Sequence, residues 1–170
     1  MIGRPTKSEA AEYYFTYIDQ VKGDDIQVVL ATQLEESPAL FTGISEDKSL
    51  HRYSPGKWSI RQVLNHISDT ERSLAFRALW FGRSFSTPLP SYDQDIAASA
   101  AGADRISWAA HIEEFRRVRL ATISLFTNMP LEGWMRTGVA SDNLYTVRAL
   151  AYIIAGHYAH HVKILNERYL

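Results

Sequence analysis

Three histidines in two segments are the residues of this chain best placed for chemistry. His66 lies within Leu64-Asn65-His66-Ile67-Ser68-Asp69, and His157 and His161 lie within Gly156-His157-Tyr158-Ala159-His160-His161. On a helix, a spacing of four puts His157 and His161 on one face, with Cβ atoms roughly 6 Å apart. Two imidazoles so placed can converge on one ion at metal–nitrogen distances of about 2.0–2.1 Å. His66, on a separate segment, can join them only from across a helix bundle. Three histidines with no evident fourth protein ligand leave a coordination position open, which suits chemistry better than a structural staple.

A structural reading competes with this one. A lone histidine on a helix is commonly a surface or core residue with one satisfied hydrogen bond. The His157/His161 pair weighs against that, because two neutral imidazoles side by side in a core lose their water hydrogen bonds unless something joins them. His157 with His160 is also sterically allowed at spacing three, although His160 points further round, toward the flank. His51 falls in a loop and His111 on a polar helix face, so both read as surface residues. Spacing gives no distance between helices, so from the residues alone the third ligand stays open.

The elements that must hold these rings are helices. Ser8 to about Val21 reads as a short first helix ended by Gly23, and Asp24 or Asp25 caps a second that runs to about Thr42, with Pro38 expected to kink or shorten it. Ser59 and Gln62 form a capping box for the third helix, whose apolar stripe is Ile60, Val63, Leu64, Ile67, Leu74, Ala78 and Phe81. Gly82 ends it. Arg83 to Asp104 reads as a long connection, and the fourth helix spans about Ser107 to Asn128. A second irregular stretch runs from Met129 to Tyr145. The last helix starts at Thr146 and continues to about Arg168. Alternating strand pattern is nearly absent. The expectation is therefore all-α: a four-helix bundle with long crossover connections, forming one domain over residues 1–170, of which 1–22 is a short helical extension.

Composition excludes several classes. The 170 residues suit one domain, and 46% hydrophobic with 22% charged residues is ordinary for a globular protein. A formal charge of −1 supplies no basic excess for nucleic acid. No run of eighteen apolar residues suggests a membrane span, and Glu9, Glu12 and Asp19 interrupt any signal-peptide pattern near the start. Cysteine is absent, which removes disulfides, thiolate ligands and a cysteine nucleophile, and fits a cytoplasmic setting.

Around the histidines, Asp69 stands three positions after His66 and can accept a hydrogen bond from a ligand imidazole or simply be an exposed helix charge. Glu71 falls near the centre of the apolar stripe, as a general base or as an ion-pair partner of Arg77 or Arg148. Asp69 and Glu71 are thus the catalytic candidates. Tyr92, Asp93, Trp80 and Phe81 are candidates for a pocket mouth, with burial in the core as the commoner fate of such aromatics. Trp58 reads as an anchor at the start of the third helix.

The stretch Gly56-Lys57-Trp58-Ser59 followed by His66-x-x-Asp69-x-Glu71 resembles the DinB-like family, and His157-x-x-x-His161 with its doubled histidine is similar to that family's last-helix motif. The resemblance implies an up-down-down-up type of bundle, often a homodimer. It also implies a divalent ion, usually nickel or zinc, at the positions of His66, His157 and His161. The activities it implies are thiol S-transfer using bacillithiol or mycothiol, thiol-dependent maleylpyruvate isomerisation, and metal-dependent hydrolysis, all on small-molecule substrates. Any thiol must come from outside this cysteine-free chain. A non-catalytic metal-binding bundle that acts through dimerisation or partner binding is the alternative.

Overall fold

The computed structural model describes residues 2–170; Met1 lies outside the described residues. Six α-helices are present: α1 (Phe15–Ile18), α2 (Ile26–Phe41), α3 (Ile60–Gly82), α4 (Gln94–Ala100), α5 (Trp108–Thr127) and α6 (Val147–Arg168). The four long ones form the bundle. α3 packs against α5 and α6, and α2 packs against the same two, so α2 and α3 face each other diagonally.

The long helices begin where side-chain caps satisfy their free N–H groups. Asp25 accepts from Gln27 and Val28, Ser107 from Ala110, and Thr146 from Ala149. Ser59 and Gln62 make both bonds of the capping box at the start of α3. Pro38 does not shorten α2, which continues to Phe41. The Leu34 carbonyl, which a residue at 38 with an N–H would serve, takes the Ser37 hydroxyl instead at 2.9 Å.

Three parts depart from the expectation. The first helix is only a 3-10 turn at Glu12–Tyr14 followed by the four residues of α1. Its Phe15 and Ile18, with Val21 beyond, are buried in the bundle core. The connection after α3 contains α4, capped by Asp93. The stretch before α6 carries an antiparallel hairpin, β1 (Thr137–Ala140) with β2 (Asn143–Thr146), in register Thr137↔Thr146 to Ala140↔Asn143. Its two-residue turn places Ser141 and Asp142 at φ of 50° and 60°. That is the primed type of turn, built here without the glycine that normally advertises it.

Two apolar clusters fill the bundle. One holds Leu30, Leu74, Ala78, Phe81, Phe126 and the start of α6 as far as Ala155; the other holds Phe41, Ile60, Val63, Leu64, Phe115, Tyr158 and Leu165. Along every long helix the junction between the clusters falls at a polar residue. These are Gln33 on α2, Glu71 on α3, Arg119 on α5 and His157 on α6, with His66 meeting His157 from just inside the second cluster. The candidate site is part of this mid-bundle polar layer.

Candidate metal centre

The layer brings the three histidines together. His157 Nε2 lies 3.0 Å from His66 Nε2 and 3.1 Å from His161 Nε2, and one nitrogen of each ring lies within 4.8 Å of the other two. His66 and His157 are buried, and His161 is half-buried. Burial pushes His66 down to about 4. It also pushes His161 down to about 3, with the neighbouring His66 and His160 acting the same way. His157 is driven well below its usual value by burial first and by the surrounding cationic forms second. All three rings are therefore neutral near pH 7.

Hydrogen bonding does not resolve this cluster. A neutral ring nitrogen has either one proton or one in-plane lone pair, so His157 Nε2 cannot make a full hydrogen bond to both neighbours. A cation accepting a lone pair from each ring satisfies all three. The observed separations are short enough for nitrogens bonded at about 2.0–2.1 Å to one centre. The donor set therefore fits a divalent ion.

The packing around the rings is specific. The indole of Trp58 lies over His66 at a centroid distance of 4.8 Å, so its role goes beyond anchoring the start of α3. Tyr17 sets its ring edge against His157 at 5.4 Å. This close approach of the N-terminal segment depends on Gly156, where an added Cβ would stand 2.1 Å from the Tyr17 carbonyl oxygen. Thr70 Oγ1 is 3.4 Å from His66 Nδ1. A proton on that Nδ1 leaves the Nε2 lone pair free for an ion.

Hollows flank the cluster on two sides. A cavity of about 140 Å³ is lined by His66 and His157 together with Tyr17, Thr70, Arg77 and Tyr92. Another of about 280 Å³ is lined by His161, Trp58, Val63 and Tyr169. The rings are thus accessible from both the Arg77 side and the Trp58 side.

Other sequence expectations are corrected. Asp69 does not bond a ligand imidazole; its carboxylate takes the Arg72 guanidinium at 3.0 Å, because it projects toward the α5 side where Arg72 also meets Glu114. Glu71 is buried, but its partner is Arg119 rather than Arg77 or Arg148. Arg119 Nη2 reaches Glu71 Oε2 at 2.8 Å, and its Nη1 donates to Gln33 Oε1 at 2.7 Å. Arg148 pairs instead with Glu9. Tyr92 does line the smaller cavity, whereas Asp93 caps α4. Trp80 stacks on Phe85 away from the site, and Phe81 is core. His160 is half-buried and meets Gln20. His51 is exposed as expected, but His111 is buried, with Nε2 2.9 Å from the Ala103 carbonyl oxygen. Arg119 and Tyr17 escaped the sequence reading. Arg119 stood in plain view, since it continues the Phe115–Phe126 stripe of α5; Tyr17 carried no comparable signal.

The sequence profile of the DinB superfamily matches residues 30–165, a span that includes all three histidines. The chain belongs to the DinB superfamily. The match runs from within α2 to within α6 and so takes in most of the bundle. Among solved structures, the chain is similar to YfiT from Bacillus subtilis, described as a probable metal-dependent hydrolase with an unusual four-helix bundle topology. The two share 17% identity at a TM-score of 0.70, over 96% of this chain and 89% of that one. This likeness bears on the fold. No curated protein matches the sequence. Among the described residues, no helix is long and apolar enough to cross a membrane.

Proposed function

We propose that this DinB-superfamily chain is a divalent-metal-dependent enzyme for a small-molecule substrate, with His66, His157 and His161 as the metal ligands. The observation that carries the reading is the meeting of three neutral imidazole nitrogens, at 3.0 and 3.1 Å about His157, beside a cavity. Imidazole donors suit zinc or nickel. When bound, such an ion supplies Lewis acidity and lowers the pKa of a water or thiol in an open position.

The chain's own residues do the rest. His157 and His161 are presented one turn apart on α6, and His66 arrives from α3 with its Nδ1 directed to Thr70. Trp58 and Tyr17 press on His66 and His157 and restrict water around them. Hydrolysis is the reaction this site supports first, because it needs no second cofactor. Thiol transfer would use the same ligands with an external low-molecular-weight thiol in place of water. A homodimer in the cytoplasm completes the reading.

The test is elemental analysis of untagged protein, followed by ester, amide and thiol–electrophile panels with and without a chelator. We expect about one zinc or nickel per chain, lost in the His157→Ala/His161→Ala double variant together with turnover. Retention of metal by that variant would overturn the site, and metal without turnover on any panel would leave a binding bundle in its place.

A further inference from the structure

Arg77 stands out on charge. It is buried, yet no carboxylate contacts it. Its Nη2 donates to the Pro90 carbonyl at 3.2 Å and to Ser141 Oγ at 3.0 Å, both neutral oxygens. A guanidinium has five N–H donors, and those on Nε and Nη1 have no protein partner among the described residues. A buried cation without a counter-charge is costly to hold. The other buried arginines avoid this: Arg61 bonds Glu46 and Arg119 bonds Glu71.

Arg77 also has a defined direction. His66, Thr70, Ser73 and Arg77 all line the 140 Å³ cavity, at steps of four, three and four along α3. Eleven residues return the helix to within about 20° of its starting direction, so the four form one straight stripe with a histidine at one end and a guanidinium at the other. Arg77 is the only residue with a permanent charge among the cavity's lining residues, and none of them is acidic. Leu74 and Ile153 supply apolar wall between the ends.

We infer that Arg77 is the anchor for a carboxylate group of the substrate, which lies along α3 with its reacting centre at the histidine end. In calling the ligand a substrate the inference rests on the function proposed above; the anion site itself does not. A single positive charge, with no second basic residue and no glycine-rich loop beside it, matches a carboxylate better than a phosphate. The neutral tethers to Pro90 and Ser141 fix the guanidinium without neutralising it, so its charge is held for a ligand.

Hexanoate is a suitable probe, with hexanamide as its uncharged match. Binding is measured by calorimetry on the full chain, both as purified and after chelation, so that a carboxylate seated on an ion is told apart from one seated on Arg77. We expect hexanoate to bind in both states, with hexanamide at least about tenfold weaker. Arg77→Gln should lose at least about tenfold, whereas Arg77→Lys and Ser141→Ala stay within about threefold. In the unmutated protein, the Arg77 Nε–H resonance should shift on hexanoate addition, a readout independent of whether Arg77→Gln folds. Equal binding of acid and amide, an unmoved Nε–H resonance, or wild-type affinity in a folded Arg77→Gln variant would overturn the inference. So would binding that disappears on chelation, an outcome that would leave the metal reading intact. Inorganic phosphate displacing hexanoate at about tenfold lower concentration would overturn the assignment to carboxylate. Arg77-dependent binding to protein that already holds no metal as purified, before any chelation, would support the anchor and sink the metal reading instead.

Discussion

Arg119 and Arg77 are both buried guanidiniums inside the bundle, but their surroundings differ. Arg119 is closed on itself: Glu71 takes its Nε and Nη2, Gln33 takes its Nη1, and the rings of Phe115 and Tyr158 lie within 5.3 Å and 5.1 Å of its central carbon. Gln33 in turn donates to the Ala155 carbonyl at 2.9 Å, tying α2, α3, α5 and α6 in one network. Arg77 has only neutral acceptors and faces a cavity that ends at His66 and His157. Every guanidinium nitrogen in the first region donates to an acceptor within the protein. In the second region, the arginine keeps free donors and the histidines keep lone pairs. The contrast separates polar groups that hold the helices in place from polar groups kept available for a ligand.

Breaking the closed region should have the largest effect. Glu71→Ala leaves Arg119 charged, buried and unpaired, and should cost about 3–5 kcal/mol of stability by chemical denaturation, with or without metal. Arg77→Gln should cost under about 1 kcal/mol in the same measurement, since it removes a charge that has no counter-charge. Similar losses from the two variants would erase the distinction drawn here.

The histidines should behave like the open region. His157→Ala is expected to abolish metal retention by elemental analysis, while the metal-free variant unfolds at a denaturant midpoint close to that of the metal-free parent. A large loss of metal-free stability would instead make His157 a structural residue.

Acid should weaken the metal-free fold in a defined window. The unfolded chain takes up protons on His66 and His161 near their ordinary pKa of about 6.5. The folded chain resists until about 4 and 3, because burial disfavours the charged rings. Between those values the unfolded state binds more protons, so stability is fully present above about pH 6.5 and falls as pH drops through the window. Denaturation midpoints measured from pH 7 to pH 4 should decline accordingly, and His161→Gln should flatten the slope. Zinc at saturating concentration should raise the midpoint across the window without flattening the slope, since rings bound to the ion take up no protons while the unfolded chain still does.

Among the metal-site variants, the smallest effect belongs to Thr70. Thr70→Val removes the acceptor beside His66 Nδ1 and should weaken metal affinity by about 10-fold, at the low end for such supporting bonds, because the 3.4 Å contact is long. Unchanged affinity in a competitive chelator titration would show that His66 is oriented by Trp58 alone.

Much of this architecture was legible beforehand because helical order is local. The Ser59–Gln62 capping box, the aspartate cap of α2, the Thr146 cap and the α3 stripe are written within a few residues of each other, and each is found where expected. The hairpin was not legible: its strands are four residues long, and its turn uses Ser141 and Asp142 where the recognisable signal would be a glycine. The 3-10 turn and brief α1 near the start were misjudged because Phe15 and Ile18 are buried by packing against α6, which their own helical periodicity does not require.

The chain's residues by themselves determined that helices would form, where most would begin, and that His157 and His161 would share a face, since a turn of 3.6 residues is a property of neighbours along the backbone. Which residues meet between helices was decided only in three dimensions. Glu71 could have met any of several arginines, and the packing of α3 against α5 selected Arg119. The same packing left Arg77 without a carboxylate and brought His66 to 3.0 Å from His157, 91 residues further along. Distances of that kind depend on how whole apolar faces fit together, which no local spacing encodes.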